Sequence, residues 1–295
     1  MAPSDPANEE VFLDPEGKPI QSKQHVKDLG VYMSADCTFD YHINNIIKGG
    51  QKMSAWALRT FRTRATIPML ILLKSLVISK MEYASILWSP TDIGNIRNLE
   101  NVQRRFTSKF GIFRKLNPTT GYVECYVDYW ERLKRLKIYS LERRRERYMI
   151  LYMYKIFIGL APDLGFLSDF TMRGGAKYFA KYNHHASSNV KSLRFSSFFT
   201  QGPRLFNLLP VNLRTPIPTP TRKEQDKRMK WFKRRLDKWL ELIPDEPNTE
   251  ELTPYRAADS NSVVGQMRSH GRSVRKQWEV ISKKLDQEEE EEDEE

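Results

Sequence analysis

From Tyr41 onward the chain repeats apolar side chains at three- and four-residue intervals. Ile43, Ile46, Ile47, Gly50, Met53, Ala57 and Phe61 share one face of a predicted helix whose other face is basic. A second helix is predicted after Pro68, which suits a first-turn position, and it ends near Ser89-Pro90. A third, from about Asp92 to Phe110, turns Ile96, Leu99, Val102, Phe106 and Phe110 inward. Three antiparallel helices with short links make a bundle. Thr119 to Gly121 then punctuates the chain, and two more helices are predicted over Tyr122 to Lys137 and Ser140 to Gly159, closed by Ala161-Pro162-Asp163. Upstream, Val11 to Val31 reads as short strands around the turn Asp14-Pro15-Glu16-Gly17, and this is the one clear β signal.

Downstream the pattern is more broken. Phe170 to Ser192 has no clear period and carries Gly174-Gly175, which predicts a long loop or mobile excursion. Gly202 to Arg214 is apolar again, and Pro216, Pro218 and Pro220 make a stiff spacer. Thr221 with Glu224 forms a capping box for a helix whose apolar face is Met229, Phe232, Leu236, Trp239 and Leu240. Met1 to Glu10 reads as a disordered leader. Beyond Asp245, Ser260 to Ser273 is too polar to predict order, Val274 to Leu285 suits one short basic helix, and the acidic run after it is expected to stay extended and solvated by its own repulsion. The fold class read from the pattern is mainly α: a helical bundle with a short amino-terminal β-hairpin, further carboxy-terminal helices and a disordered acidic tail.

Charge adds a direction to this picture. The formal net charge is +11, but Asp286 to Glu295 holds nine of the 37 acids, so residues 1–285 carry 48 bases against 28 acids, or +20. Such a surplus favours a polyanionic partner, since each neutralised phosphate releases counterions; a merely soluble basic surface is the other reading. The acidic end itself suits a basic protein partner. Cys37 and Cys125 are far apart, without Cys-x-x-Cys or Cys/His spacing, and read as buried thiols. The polar start with Ser4, Asp5, Glu9 and Glu10 carries no mark of secretion, so an intracellular, nuclear or cytoplasmic place is expected. Lys74, Lys80 and Glu82 interrupt the most apolar segment, which reads as a core helix and not a membrane span. His184-His185 is the one histidine cluster, with His25, His42 and His270 scattered, so neither a metal nor a cofactor is expected.

Three basic groups are candidates for holding nucleic acid. Lys52, Arg59, Arg62 and Arg64 lie off the isoleucine stripe, either to track a duplex backbone or as a solvated face. Arg97, Arg104, Arg105 and Lys109 line the polar side of the third helix, where the like-charged Arg105 and Lys109 call for a phosphate or for a glutamate such as Glu124 or Glu131. In the run Glu142 to Arg147, helical pairing joins Glu142 with Arg145 and Arg143 with Glu146 and leaves arginine in surplus. Arg143, Arg144 and Arg147 are the residues assigned to nucleic acid there. Tyr148, Tyr152 and Tyr154 follow, either as stacking surfaces for a single strand or as core aromatics.

Longer runs carry a resemblance. They are VKDLGVYMSADCTFDYHI from Val26, WALRTFRTR from Trp56, LVISKMEYASILWSP from Leu76, LENVQRRFTSKF from Leu99, YWERLKRLKIYSLERRRERYMILYMYKIFIGLAPD from Tyr129 and QGPRLFNLLPVNLR from Gln201. Together they resemble the part of a non-LTR (LINE-type, jockey-like) retrotransposon reverse transcriptase just downstream of its catalytic aspartates, over most of Val11 to Pro247. The resemblance implies a palm or primer-grip hairpin at 11–33, a thumb-like bundle at 34–118 and a carboxy-terminal helical region at 119–245. Composition adds a disordered leader at 1–10 and a mostly disordered 246–295, a basic segment followed by the acidic tail. It places Asp28, Leu29, Gly30 and Val31 in the hairpin that grips the primer, with Gly30 there either for close approach to nucleic acid or as a bulge. That hairpin, without a palm beside it, is expected to expose apolar surface near Val26 to Val31. In the family the two metal ions of phosphoryl transfer are held by carboxylates that include an adjacent aspartate pair, and this sequence contains no Asp-Asp pair. The implied function is therefore a truncated, non-catalytic reverse transcriptase that binds an RNA/DNA duplex or hybrid without sequence preference. The alternatives are a host interaction or scaffold protein derived from such an element, and a fragment of an active RNA-directed DNA polymerase.

Overall fold

The computed structural model of the chain describes residues 13–21, 23–162, 170–173, 177–180, 193–215, 221–247 and 261–294. It is mainly helical, 66% helix against 7% strand, so the strands serve as clips between helices. They form three separate two-stranded hairpins. In the first, β1 (His25–Asp28) pairs antiparallel with β2 (Val31–Ser34). Leu29 and Gly30 join them with φ of 43° and 89°, the doubly left-handed turn that matches strand twist.

The predicted isoleucine stripe forms α1 (Asp40–Thr60), which buries Ile43, Ile46, Ile47, Gly50 and Ala57. The segment after it is longer and less regular than predicted. It runs as α2 (Thr66–Leu72), through a π-helical stretch at Leu73–Ile78, into α3 (Ser79–Glu82). Ala84 then turns left-handed at φ 51° and separates α4 (Ser85–Trp88). Met69, Leu73, Val77, Ile78 and Met81 of this segment are core residues, as its reading as a core helix requires. Among the described residues no helix is long and apolar enough to cross a membrane.

Asp92 caps α5 (Ile93–Thr107) by accepting the Asn95 N–H at 2.7 Å. α1 and α5 run parallel, with α2–α3 returning between them. At one end Asn95 donates to Asp40 (2.9 Å), and at the other the Gly111 N–H donates to the Arg64 carbonyl (2.8 Å). Midway, a Cβ on Gly50 would sit 2.8 Å from the Met81 sulfur and 3.3 Å from Val102, so glycine sets how closely the three helices approach.

The next segment departs from expectation. Where a helix from Tyr122 was predicted, β3 (Arg114–Leu116) and β4 (Val123–Cys125) form a hairpin. Local turn chemistry wins: the Asn117 side chain accepts the Thr119 and Thr120 N–H groups, and Gly121 takes φ 70°. Only after the Asp128 cap does α6 (Tyr129–Leu136) start, and Ser140 caps α7 (Leu141–Phe157).

Two hydrophobic cores result. The first gathers Val31, Ile43, Leu73, Trp88, Leu99 and Phe106 and extends to Leu136 and Leu141. The second begins at Met149 and Tyr154 and takes in α8 (Phe198–Phe206), α9 (Val211–Arg214) and α10 (Arg222–Glu241). α7 belongs to both, with Leu141 in the first and Met149 onward in the second. The predicted capping box is present at Thr221 and Glu224. Within the expected loop, β5 (Phe170–Arg173) and β6 (Lys177–Ala180) pair antiparallel. The rest of that loop with His184-His185, the proline spacer and the leader lie outside the described residues.

The largest correction concerns the carboxy-terminal part. Instead of one short helix and an extended acidic tail, α11 (Val263–Glu294) runs continuously into the acidic residues. Val263, Met267, Val274, Trp278 and Leu285 are buried, at alternating four- and seven-residue spacing, in the second core. Repulsion in the acidic run is offset by Arg235, which donates to Asp286 and Glu289 (2.5 and 2.8 Å), and by the Trp231 indole, which donates to Glu289 (3.0 Å). Cys37 also differs from its reading as a buried thiol: it is exposed at φ 59° in the turn after β2, while Cys125 is half-buried, and both are free.

Candidate nucleic-acid interface

Lys52, Trp56 and Arg59 follow one another along an exposed face of α1, and Phe61 and Arg62 extend it past the helix end. The Phe61 ring meets Trp56 edge-on at 6.0 Å. α1 and α5 are parallel and joined at this end by the Gly111–Arg64 bond, and the last turn and exit of α5 leave Arg104, Arg105 and Lys109 exposed. Arg104 lies over the Tyr129 ring at 4.8 Å. Helix carboxy termini favour cations without any ligand. The exposed aromatic pair is a different matter, since rings beside cations are what nucleobases stack on. Glu124 accepts from Asn117 and Thr120, and Glu131 pairs with Arg135, so these two glutamates are engaged away from Arg105 and Lys109.

Other predicted residues are placed elsewhere. Arg64 is a structural cap, donating to the carbonyls of Leu58, Phe61 and Thr63 (3.0, 2.8 and 2.7 Å) at the end of α1. Arg97 sits near the opposite end of α5. The α7 arginines are corrected outright, because the helix is wedged between two cores. Arg143 has no exposure and donates to the carbonyls of Leu240, Ile243, Pro244 and Asn261. Arg144 is held by Glu82 and Tyr148, and Arg147 by Asp237 (2.8 Å). Arg143 is thereby closed to a phosphate backbone, while the Arg144 and Arg147 side chains keep 23% and 20% exposure. The tyrosines after them are core aromatics: Tyr154 stacks on Phe232 at 3.7 Å, and Tyr152 meets Phe198 edge-on.

The predicted pair of Arg143 and Glu146 stands at 4.0 Å inside a buried polar seam that sequence reasoning missed. Asp245 accepts from the Ser140 N–H and hydroxyl, both at 2.7 Å, and from Asn261. Glu100, on the buried side of α5, accepts the Leu141 N–H (3.0 Å) and the Tyr129 hydroxyl, and burial pushes its carboxyl up to about 7. Burial likewise raises Glu142 and Glu146, whose proximity to one another raises Glu142 further. One sequence signal was available: Glu100 and Gln103 fall among the inward residues of α5.

The primer-grip-like residues straddle the first hairpin. Asp28 ends β1, Leu29 and Gly30 form the turn, and Val31 opens β2 and is buried. The Tyr83 hydroxyl donates to the Leu29 carbonyl (2.9 Å), and its ring stands 3.3 Å from where a Gly30 Cβ would lie. Gly30 thus serves a tight turn packed on Tyr83 and is not a bulge. Val26 and Leu29 expose apolar surface there, as expected. Among the described residues no three histidine, cysteine or acidic side chains come together to hold a metal. Comparison of the chain with protein families, curated proteins and solved structures gives no match.

Proposed function

We propose that this protein holds an RNA/DNA duplex or hybrid without reading its sequence, as the thumb and carboxy-terminal region of a non-LTR reverse transcriptase would, and that it does not synthesise DNA on its own. The observation that carries the reading is the joined end of α1 and α5. Arg59 and Arg62 are exposed there with the Trp56–Phe61 pair of α1, and Arg105 and Lys109 are exposed at the end of α5. Cations of this kind neutralise phosphates and position a duplex, and the rings offer stacking surface. The surplus of bases over residues 1–285 supplies long-range attraction.

Salt dependence tests the reading. Binding to duplex and hybrid should weaken linearly in a log–log plot, with a slope of roughly −0.9 per phosphate contact on B-DNA. Replacing Arg59, Arg62 and Arg105 together by glutamine should make that slope shallower by about 2 to 3, whereas Lys223→Gln on α10 should leave it alone. An unchanged slope and affinity in the triple variant would remove this surface from the site. Primer extension with magnesium or manganese should yield no product, and template-dependent incorporation by protein freed of contaminating polymerases would overturn the non-catalytic part.

A further inference from the structure

Between the amino-terminal ends of α5 and α11 and the buried start of α7 the protein forms a half-open cavity of about 720 Å³. Four helices each send one arginine to its lining: Arg97 from α5, Arg145 from α7, Arg204 from α8 and Arg268 from α11. Arg145 is 3% exposed, and its Nη2 meets no acceptor among the described residues. A buried guanidinium nitrogen without an acceptor is costly, and an anion would remove that cost. Arg204 points the same way, because its guanidinium is held below its usual range by burial and then by the like charge of Arg268. Phe195 lines the cavity too, half-exposed, with the Arg204 guanidinium 5.5 Å from its ring centre.

Three acids, Asp92, Glu142 and Glu146, share the lining with the four arginines and leave the arginines a formal excess of one charge. Asp92 is engaged in capping α5, and Glu146 accepts the Val263 N–H at 2.9 Å. Glu142 and Glu146 are both shifted by burial toward their neutral forms. The helix dipoles of α5 and α11 add positive potential at the same place.

We propose that this cavity binds a phosphomonoester, with Arg145 deep inside and Arg204 and Arg268 receiving its outer oxygens. Guanidinium forks converging from separate helices match the several acceptor oxygens of a terminal phosphate better than the two of a carboxylate. The volume falls in the range of small-molecule sites, roughly 300 to 1,000 Å³, and leaves space for a nucleoside against Phe195. The phosphate belongs to a free nucleotide or to the phosphorylated end of a strand. The site is separate from the α1–α5 surface and does not depend on it.

Titration calorimetry of the full chain decides the matter, using AMP and short oligonucleotides that carry a 5′-phosphate or a 5′-hydroxyl. Saturable binding of AMP, weakened at least tenfold in the Arg204→Gln/Arg268→Gln variant and unchanged in Arg272→Gln or Arg59→Gln/Arg62→Gln, is the expected result. A tenfold preference for the 5′-phosphate over the 5′-hydroxyl oligonucleotide would assign the site to strand ends, and its absence alongside AMP binding would assign it to free nucleotides. Arg204 and Arg268 carry the test because replacing buried Arg145 endangers the fold. The proposal fails if neither AMP nor the phosphorylated oligonucleotide saturates at millimolar concentration, or if Arg272→Gln weakens binding as much as the double variant.

Discussion

A guanidinium shut away from water keeps its charge only where carbonyl oxygens replace the solvent, and Arg143 reaches four of them across α10, its exit and the start of α11. Removing one partner of a buried charged network costs about 3–5 kcal/mol. Arg143→Gln should lower the unfolding free energy by that order in urea denaturation. Arg143→Lys should recover little, since a single ammonium cannot span the same fan of acceptors. Glu100 has the opposite dependence on protons. Its carboxyl is raised from 4.5 to about 7 by burial, so the folded protein binds more protons than the unfolded chain between those values. The stability it contributes is complete below about 4.5 and is lost as pH rises through about 7, on the order of 1 kcal/mol per pH unit. Urea midpoints taken from pH 5 to pH 8 should therefore decline, and Glu100→Gln should make the decline shallower, leaving the part that the likewise raised Glu142 and Glu146 contribute.

Among the elements, α11 and the acidic run show what pattern reading catches and what it misses. The stripes of α1 and α5 and the capping box of α10 were legible because each depends on residues within one or two turns. The stripe Val263, Met267, Val274, Trp278, Leu285 was equally local, but the polar residues between its members hid it. The solvation expected of the acidic residues rested on their charge alone, whereas their structure depends on Arg235, about 50 residues upstream. The same holds for the α7 arginines, whose acceptors on other elements lie 62 to 118 residues away and leave no trace at their own positions. At the candidate interface, Lys52, Arg59, Arg62 and Arg105 were legible as exposed cations. That α1 and α5 end together was not, because it needs the Gly111–Arg64 bond between two helices. If Arg235 anchors the acidic run, Arg235→Gln should raise amide exchange over residues 286–289 and leave Val274 to Trp278 protected. The accompanying loss of stability should be about 1 kcal/mol or less, because Asp286 and Glu289 are partly exposed and screened by salt.

For the whole molecule the governing fact is that α7 closes one core with Leu141 and opens the other with Met149. Neither core can lose this helix and keep its packing, so circular dichroism and tryptophan fluorescence should report one coincident urea transition. The helix also acts as a gear shaft. Each residue along it advances the chain about 1.5 Å and turns it about 100°. One alanine inserted after Arg147 would swing Met149, Ile150 and Tyr154 by more than a quarter turn relative to Leu141. It would point them away from Phe232 and Leu205 while the sequence on either side stayed intact. The same insertion in the turn at Thr119-Thr120, where the chain merely reverses between β3 and β4, should cost under about 1 kcal/mol. An inserted residue is therefore absorbed in a turn but not in α7, and the phase of one 17-residue helix fixes the angular setting of everything that follows it.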